Sequence, residues 1–273
     1  ETRELLDALD LKISFSLPTW TMKENPEQKA EQLRTLLGIS IMEQIRNFQN
    51  YYDAQDTWRS VLFDNGVIVR ICRMPISDAR AFCLFGSNLA GIGLSSEDRE
   101  SGRIFSLFHE VCHLGLQQPG VSGLMVKNTS SDQKLEQYCD HFAASFLLPS
   151  SNVQVINALD NFRSSMTLET ARKIANKFKV SKYVIARRAF DLEYIKKADY
   201  WKLIEDWQTQ DALIPKKQEP ERVTSGNYHA TQISYIGKRF AQLVIRALQS
   251  NYLTPVEVRR IVGLDHSVLE MNL

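Results

Sequence analysis

Two histidines four residues apart, with a glutamate directly after the first, form the most informative pattern in the chain. The segment 109–113 reads HEVCH and lies within an apolar run, which predicts a buried helix. Residues four apart share a helix face, so His109 and His113 can bind one Zn²⁺ ion. Glu110 lies beside that face, where a carboxylate serves as general base for a water that the metal activates. This spacing is typical of metallopeptidases.

A third ligand is expected from a second helix, which is predicted from residue 132 until the proline at 149. Glu136 and Asp140 share one face of it, so Glu136 can bind the metal while Asp140 accepts the second ring N–H of a ligand histidine. His141 is the alternative ligand, but it lies about 140° from Glu136 around the helix, so only one of them can face the metal. Tyr138 is a weaker candidate, as an oxyanion donor.

The four cysteines are Cys72, Cys83, Cys112 and Cys139. They form no CxxC pair, so they predict neither a disulfide framework nor a structural zinc site. Free thiols are typical of a reducing cytoplasm. Cys112 lies inside the metal motif and is predicted to be a buried core thiol. The alternative is a regulatory thiol that contacts the metal, or oxidises beside it, and silences it.

Short strands are predicted at 67–72, 82–85 and 91–94, between a helical region at 26–63 and the metal helix. The metal helix is predicted to end near Gly115 or Pro119. A small sheet beside a metal helix fits a peptidase that binds its substrate as an added strand. The predicted fold class is therefore α+β: a zincin-like metallopeptidase core with a small sheet and an HExxH helix, followed by a helical C-terminal region.

The chain is predicted to divide into a metallopeptidase domain at 1–210, a linker at 211–228 and a helical module at 229–273. Two helices at 166–191 resemble a helix-turn-helix pair, which is a DNA-reading motif. Between residues 216 and 260 there are eight basic and three acidic side chains, a local net charge of +5. We expect this module to dock a partner or to regulate the peptidase, with a solvated surface as the alternative.

Composition excludes several classes of protein. With 44% hydrophobic and 24% charged residues in 273, the chain has the composition of a globular protein with a core. A net charge of +1 gives no overall field that favours nucleic acid or membranes. No apolar stretch approaches the length of a membrane span, and the N-terminus lacks a signal-peptide pattern. The chain opens at Glu1, which leaves open whether an N-terminal module precedes it.

The segments FHEVCHLGL (108–116) and LEQYCDHFAASFLLP (135–149) resemble the ImmA/IrrE family of metallopeptidases. The similarity covers roughly residues 25–195 and includes the strand region after residue 64 and the element at 181–188. It implies that His109, His113 and Glu136 are the ligands and that Glu110 is the catalytic base. Asp140 departs from the pattern, because many members have asparagine there. Members of the family are intracellular and commonly cleave helix-turn-helix repressors.

We therefore expect a cytoplasmic zinc-dependent endopeptidase, with Mn²⁺ as the alternative ion. Its expected substrate is a helix-turn-helix transcriptional repressor, whose cleavage relieves repression in a stress, phage or defence response. Nucleic acid is a candidate activator, and no membrane partner is expected. The alternative function is a DNA-binding transcription regulator in which the zincin-like domain is structural or degenerate.

Overall fold

The structure is a computed structural model that describes residues 13–86, 88–118, 121–122, 130–213 and 225–272. The described helices are α1 (Pro26–Leu37), α2 (Ile41–Asn47), α3 (Tyr51–Asp64), α4 (Glu100–Leu116), α5 (Ser130–Leu147), α6 (Val153–Ser165), α7 (Leu168–Phe178), α8 (Lys182–Asp191), α9 (Lys197–Leu213), α10 (Ser225–Ile236), α11 (Lys238–Gln249), α12 (Pro255–Val262) and α13 (His266–Asn272). The described strands are β1 (Val67–Cys72), β2 (Ala81–Phe85), β3 (Ala90–Ser95) and β4 (Val121–Ser122).

The strands form one mixed sheet in the order β1-β3-β2-β4. β1 runs parallel to β3, whereas β2 runs antiparallel to both β3 and β4. Burial alternates along β1, so one face of the strand packs on the core. The three predicted strands are confirmed, with β2 and β3 slightly longer than expected. The predicted α+β class is confirmed as well, because the described chain is mostly helical with a single small sheet.

The region 26–63, predicted as helical, is divided into three helices by local capping. α1 begins after Asn25, whose side chain accepts a hydrogen bond from the backbone N–H of Glu27, and it ends at Gly38 in the left-handed conformation. α2 opens with a capping box between Ser40 and Glu43. The side chain of Asn50 then caps α3. Each cap supplies partners for backbone groups that a helix end leaves unpaired.

The metal helix α4 ends at Leu116, between Gly115 and Pro119, near which its end is predicted. Gln117, with φ 54°, forms the left-handed cap. Gly115 lies inside the helix. A Cβ atom at this position would meet the Trp20 ring at 2.2 Å, so glycine is the residue that fits there. The arm before α1 crosses the helix at this point, and the backbone N–H of Trp20 donates to the carbonyl of Gly115 at 3.0 Å. Pro119 lies outside the described residues.

The main core holds α4 between α3 and α5 through a set of aromatic rings. Phe108 on α4 stacks on Phe146 of α5 with ring centroids 3.8 Å apart, and its edge meets Trp58 of α3 at 5.1 Å. All three side chains are fully buried. Fixing these rings fixes the distance and the angle between α4 and α5, the two helices that carry the candidate ligands.

A second hydrophobic core joins the C-terminal helices to the outer side of α3 and β1. It contains Phe63 together with residues of α10 to α13, among them Phe240 and Val258. The predicted helical module at 229–273 contains several short helices, and Gly237, with φ 94°, separates α10 from α11. The proposed linker is helical at both ends, with α9 reaching residue 213 and α10 beginning at residue 225. The division into domains stays a prediction.

Candidate metal centre

Two histidines of α4 and one carboxylate of α5 meet where these helices cross. His109 and His113 are buried, and their Nε2 atoms lie 3.2 Å apart. The Glu136 carboxylate lies 3.1 Å from Nε2 of His109 and 3.4 Å from Nε2 of His113. The three side chains that the sequence singled out as ligands are thus brought together, 27 residues apart at their widest.

These distances match the spacing that a metal ion requires of its ligands. Bonds of about 2.0–2.1 Å to a tetrahedral ion place neighbouring ligand atoms roughly 3.3–3.4 Å apart. The separations between the Glu136 oxygens and the two imidazole nitrogens fall within a few tenths of an ångström of that value. Two imidazoles with one carboxylate are a donor set of catalytic zinc sites, so the residues present fit such an ion.

The Asp140 carboxylate orients the imidazole of His109 from the side opposite Glu136, as the sequence predicts. Nδ1 of His109 lies 2.9 Å from Oδ1 of Asp140, one helical turn after Glu136. If Nδ1 carries the proton, its bond to Asp140 leaves the lone pair of Nε2 directed toward Glu136 and His113. Asp140 is itself held by Arg187 of α8, which donates to Oδ2 at 3.0 Å.

Arg187 is a part of the site that the sequence analysis missed. Its Nε also donates to both carboxylate oxygens of Asp191, at 2.9 and 3.0 Å. The guanidinium therefore lies between two carboxylates, one of which it shares with His109. Arg187 is 47 residues from Asp140 in the sequence, so no local spacing indicated the contact.

The pKa values of His109, His113 and Glu136 are shifted because these three side chains contact one another. Burial lowers the pKa of His113, but its hydrogen bonds to Cys139 and Glu136 outweigh that effect and raise it to about 9. Burial likewise lowers the pKa of His109, yet Asp140 and Glu136 hold it well above its usual value. Burial raises the pKa of Glu136, but the hydrogen bonds to the two histidines lower it to about 2. Metal ions and protons compete for the lone pairs of these ring nitrogens.

Glu110 is fully buried on α4, directly after His109. Because a helix advances about 100° per residue, its side chain leaves the helix beside the ligand face and not within it. A carboxylate in this position is adjacent to the candidate centre without being one of the three donors. Its role as general base stays a prediction.

Cys139 lies against the two histidines and was not among the predicted site residues. Potential ligand atoms of His109, His113 and Cys139 all lie within 4.8 Å of one another, and all three residues are buried. The signal was present in the sequence, because residue 139 is three positions after Glu136 and lies near its helix face. Cys112, the predicted core thiol, is fully buried. Burial raises the pKa of the Cys139 thiol.

His141, the alternative ligand, faces away from the centre toward α1. Its Nε2 lies 2.7 Å from Oε1 of Glu27, a carboxylate that also accepts hydrogen bonds from the fully buried Arg188. Tyr138, the weaker candidate for an oxyanion donor, donates its hydroxyl to the backbone carbonyl of Glu24 at 3.0 Å. The structure therefore places both side chains among contacts with the α1 region.

The helix pair predicted near 166–191 is present as α7 and α8, but α8 packs inside the domain. Its buried residues include Val184, Ile185 and Arg188. Both of its neighbouring arginines are engaged within the chain, since Arg187 contacts Asp140 and Arg188 contacts Glu27. A recognition helix needs exposed side chains that reach base edges, so this packing disfavours DNA reading by α8.

The fold and the donor set define a class of protein: an α+β domain with an HExxH helix and a carboxylate from a neighbouring helix. Residues 64–190 match the Peptidase_M78 family model, which describes the IrrE N-terminal-like domain. This match confirms the resemblance to the ImmA/IrrE family of metallopeptidases, and the matched segment contains every candidate site residue. No curated protein matches the chain. Among the described residues, no helix has the length and apolar character that a bilayer crossing requires.

Proposed function

We propose that this protein is a zinc-dependent endopeptidase with His109, His113 and Glu136 as its metal ligands. The observation that carries the proposal is the set of distances of 3.1 to 3.4 Å among the ring nitrogens and the Glu136 carboxylate. Such a centre is expected in a peptidase family, and its donor set leaves a coordination position for water.

A bound zinc ion would acidify a water molecule and polarise the carbonyl of the scissile peptide bond. Glu110 takes the proton of that water and later delivers it to the leaving amine. Asp140 keeps His109 in the tautomer that presents Nε2 to the ion, and Arg187 holds Asp140 in place. The apolar packing around α4 excludes bulk water from the inner side of the site.

The substrate is proposed to be a helix-turn-helix transcriptional repressor, bound as an extended strand. The family resemblance supports this substrate class, and the sheet offers a place for the strand. The described part of β4 pairs only with Ala81 and Phe82 of β2. Farther along β2, Leu84 and Phe85 are exposed apolar side chains that a peptide can contact. The proposed setting is relief of repression in a stress, phage or defence response, in the cytoplasm.

The test compares the wild-type protein with Glu110→Gln and His113→Ala. Glu110→Gln should retain one divalent ion per chain but lose about 10²- to 10⁴-fold in peptide cleavage, because only the general base is removed. His113→Ala should lose both ion and cleavage. Metal content after dialysis and mass spectrometry of a repressor encoded beside the gene give the two readouts. Cleavage by Glu110→Gln at the wild-type rate would show that the proposed mechanism is wrong.

A further inference from the structure

The thiol of Cys139 occupies the buried side of the candidate metal centre. Cys139 is fully buried, whereas the Glu136 side chain, one turn earlier on α5, is about half-exposed at 47%. Both groups lie beside the imidazole of His113: the carboxylate is 3.4 Å from its Nε2, and the thiol sulfur lies within 4.8 Å of the ring. The two histidines are therefore approached by two different ligand-type groups from the same helix.

The three atoms on the buried side form a donor set of their own. Ligand atoms of His109, His113 and Cys139 lie within 4.8 Å of one another. The ring nitrogens are already 3.2 Å apart, so a small change in the Cys139 side chain completes a set of two imidazoles and one thiolate. Zinc accepts such sets at bonds of about 2.3 Å to sulfur and 2.0–2.1 Å to nitrogen.

We propose that Cys139 is a ligand of the metal ion and restrains the enzyme by holding it. The thiol gives its proton to solvent as the sulfur–metal bond forms, and sulfur takes a proton back when that bond breaks. While the bond exists, Cys139 either fills the position that a water needs or takes the place of Glu136. This inference rests on the proposed function and adds a regulatory ligand to the same centre.

Cys112, on the facing helix α4, is a second fully buried thiol. Because neither Cys112 nor Cys139 forms a disulfide, the Cys139 thiol is available as a metal ligand. A soft thiolate also favours zinc over manganese, because manganese prefers carboxylate and other oxygen ligands. The ligand set thus predicts which of the two candidate ions the protein retains.

Cobalt substitution tests the inference, because a Co²⁺–thiolate bond adds strong near-ultraviolet absorption to the visible bands of the ion. The wild-type protein loaded with Co²⁺ should show both features. Cys139→Ser and Cys139→Ala should keep the visible bands and lose the near-ultraviolet absorption. Cys112→Ala, the matched control on the facing helix, and Cys72→Ser, on β1, should keep both. Glu136→Ala should keep the near-ultraviolet absorption at saturating Co²⁺.

The outcomes separate this inference from the proposed function. Visible bands without thiolate absorption in the wild type would overturn the role of Cys139 and leave the two histidines and Glu136 as ligands. Thiolate absorption that persists in both Cys139 variants would overturn it as well. Absence of any Co²⁺ spectrum in the folded wild type, checked by circular dichroism, would overturn the metal centre itself. The wild-type spectrum alone can overturn the inference, and two Cys139 variants are used so that the assignment of the thiolate band does not depend on the folding of one of them.

Discussion

Glu136 and His141 are five residues apart on α5 and contact different neighbours. Glu136 meets the two histidines of α4, while His141 meets Glu27 of α1. α5 lies between α4 and α1. Its helical periodicity directs Glu136 toward α4 and His141 toward α1. Substitution of Glu136 and of His141, one at a time, can therefore identify the third ligand.

Glu136→Ala should weaken metal binding by orders of magnitude, because it removes the carboxylate donor of the centre. His141→Ala should leave metal binding nearly unchanged, because its ring nitrogen contacts Glu27 and not the centre. Metal content per chain after dialysis measures both effects, and the melting temperature of each variant serves as the control for folding. The reverse result would place His141 on the metal and require a rotated α5.

At the scale of elements, α8 supports the metal centre although it carries none of the candidate ligands. Arg187 connects this helix to Asp140 and, through Asp140, to His109. Arg188, the next residue, connects the same helix to Glu27 of α1 and to the carbonyl of Leu148. The helix pair that resembled a DNA-reading unit thus positions α5 between α1 and α4.

Arg187→Gln should lower zinc affinity by about 10- to 100-fold, the usual effect of removing a partner of a ligand histidine's carboxylate. Arg187→Lys should recover part of the loss, because one cationic donor to Asp140 is retained. Chelator competition measures the affinity, and Arg172→Gln, an exposed arginine on α7, is the control. Equal affinity in the wild type and Arg187→Gln would show that Asp140 needs no such support.

Glu27 should make stability depend on acidic pH. Burial raises its pKa, but hydrogen bonds from Arg188 and His141 outweigh that and hold the pKa far below its ordinary value of 4.5. The unfolded chain therefore takes up this proton first as pH falls below about 4.5, so the free energy of unfolding decreases there. Glu27→Gln should lose about 3 kcal/mol near neutral pH, because Arg188 stays buried without its charge partner.

Urea unfolding at a series of pH values checks the Glu27 prediction. The variant should show a flatter dependence on pH below 4.5 than the wild type. Glu169→Gln, which removes an exposed partner of Lys173 on α7, should change stability by only a few tenths of a kcal/mol. Parallel pH profiles for the wild type and Glu27→Gln would exclude Glu27 as the source of the dependence.

At the scale of the whole molecule, the C-terminal helices are attached through a buried arginine. Arg59 of α3 donates to the carbonyl of Val69 in β1 and to the carbonyls of Ser234 and Tyr235 in α10. On the same side of α3, residues of the C-terminal helices pack against Phe63 in the second hydrophobic core. The candidate ligands all lie on α4 and α5, the helices that pack in the main core around its aromatic rings.

A truncation ending at Ala212 should fold and bind metal, because the ligands and the sheet precede it. Its stability should fall by about 2 kcal/mol or more, since Arg59 loses two carbonyl acceptors and Phe63 loses its cover. Cleavage of the partner, or its response to nucleic acid, should change if the basic module docks either one. Calorimetry, metal content and cleavage assays measure these effects. A truncated chain without metal would assign the module to the catalytic core.

The sequence by itself determined the parts of the site that depend on local spacing. Residues four apart on a helix share a face whatever surrounds them, so the pairing of His109 with His113 followed from the motif. The alternation and length of apolar runs likewise predicted the three main strands. Caps and glycines that divide a helical region are also local, but the apolar periodicity at 26–63 continues across them and conceals the breaks.

Only the tertiary structure decided which face of α5 meets the metal helix. That choice depends on the contacts of Phe108 with Trp58 and Phe146, which come from distant parts of the chain. The same packing brings Cys139 to His113 and Arg187 to Asp140. Local propensity carries no information about such contacts, because they form only when separate helices bury their apolar faces together.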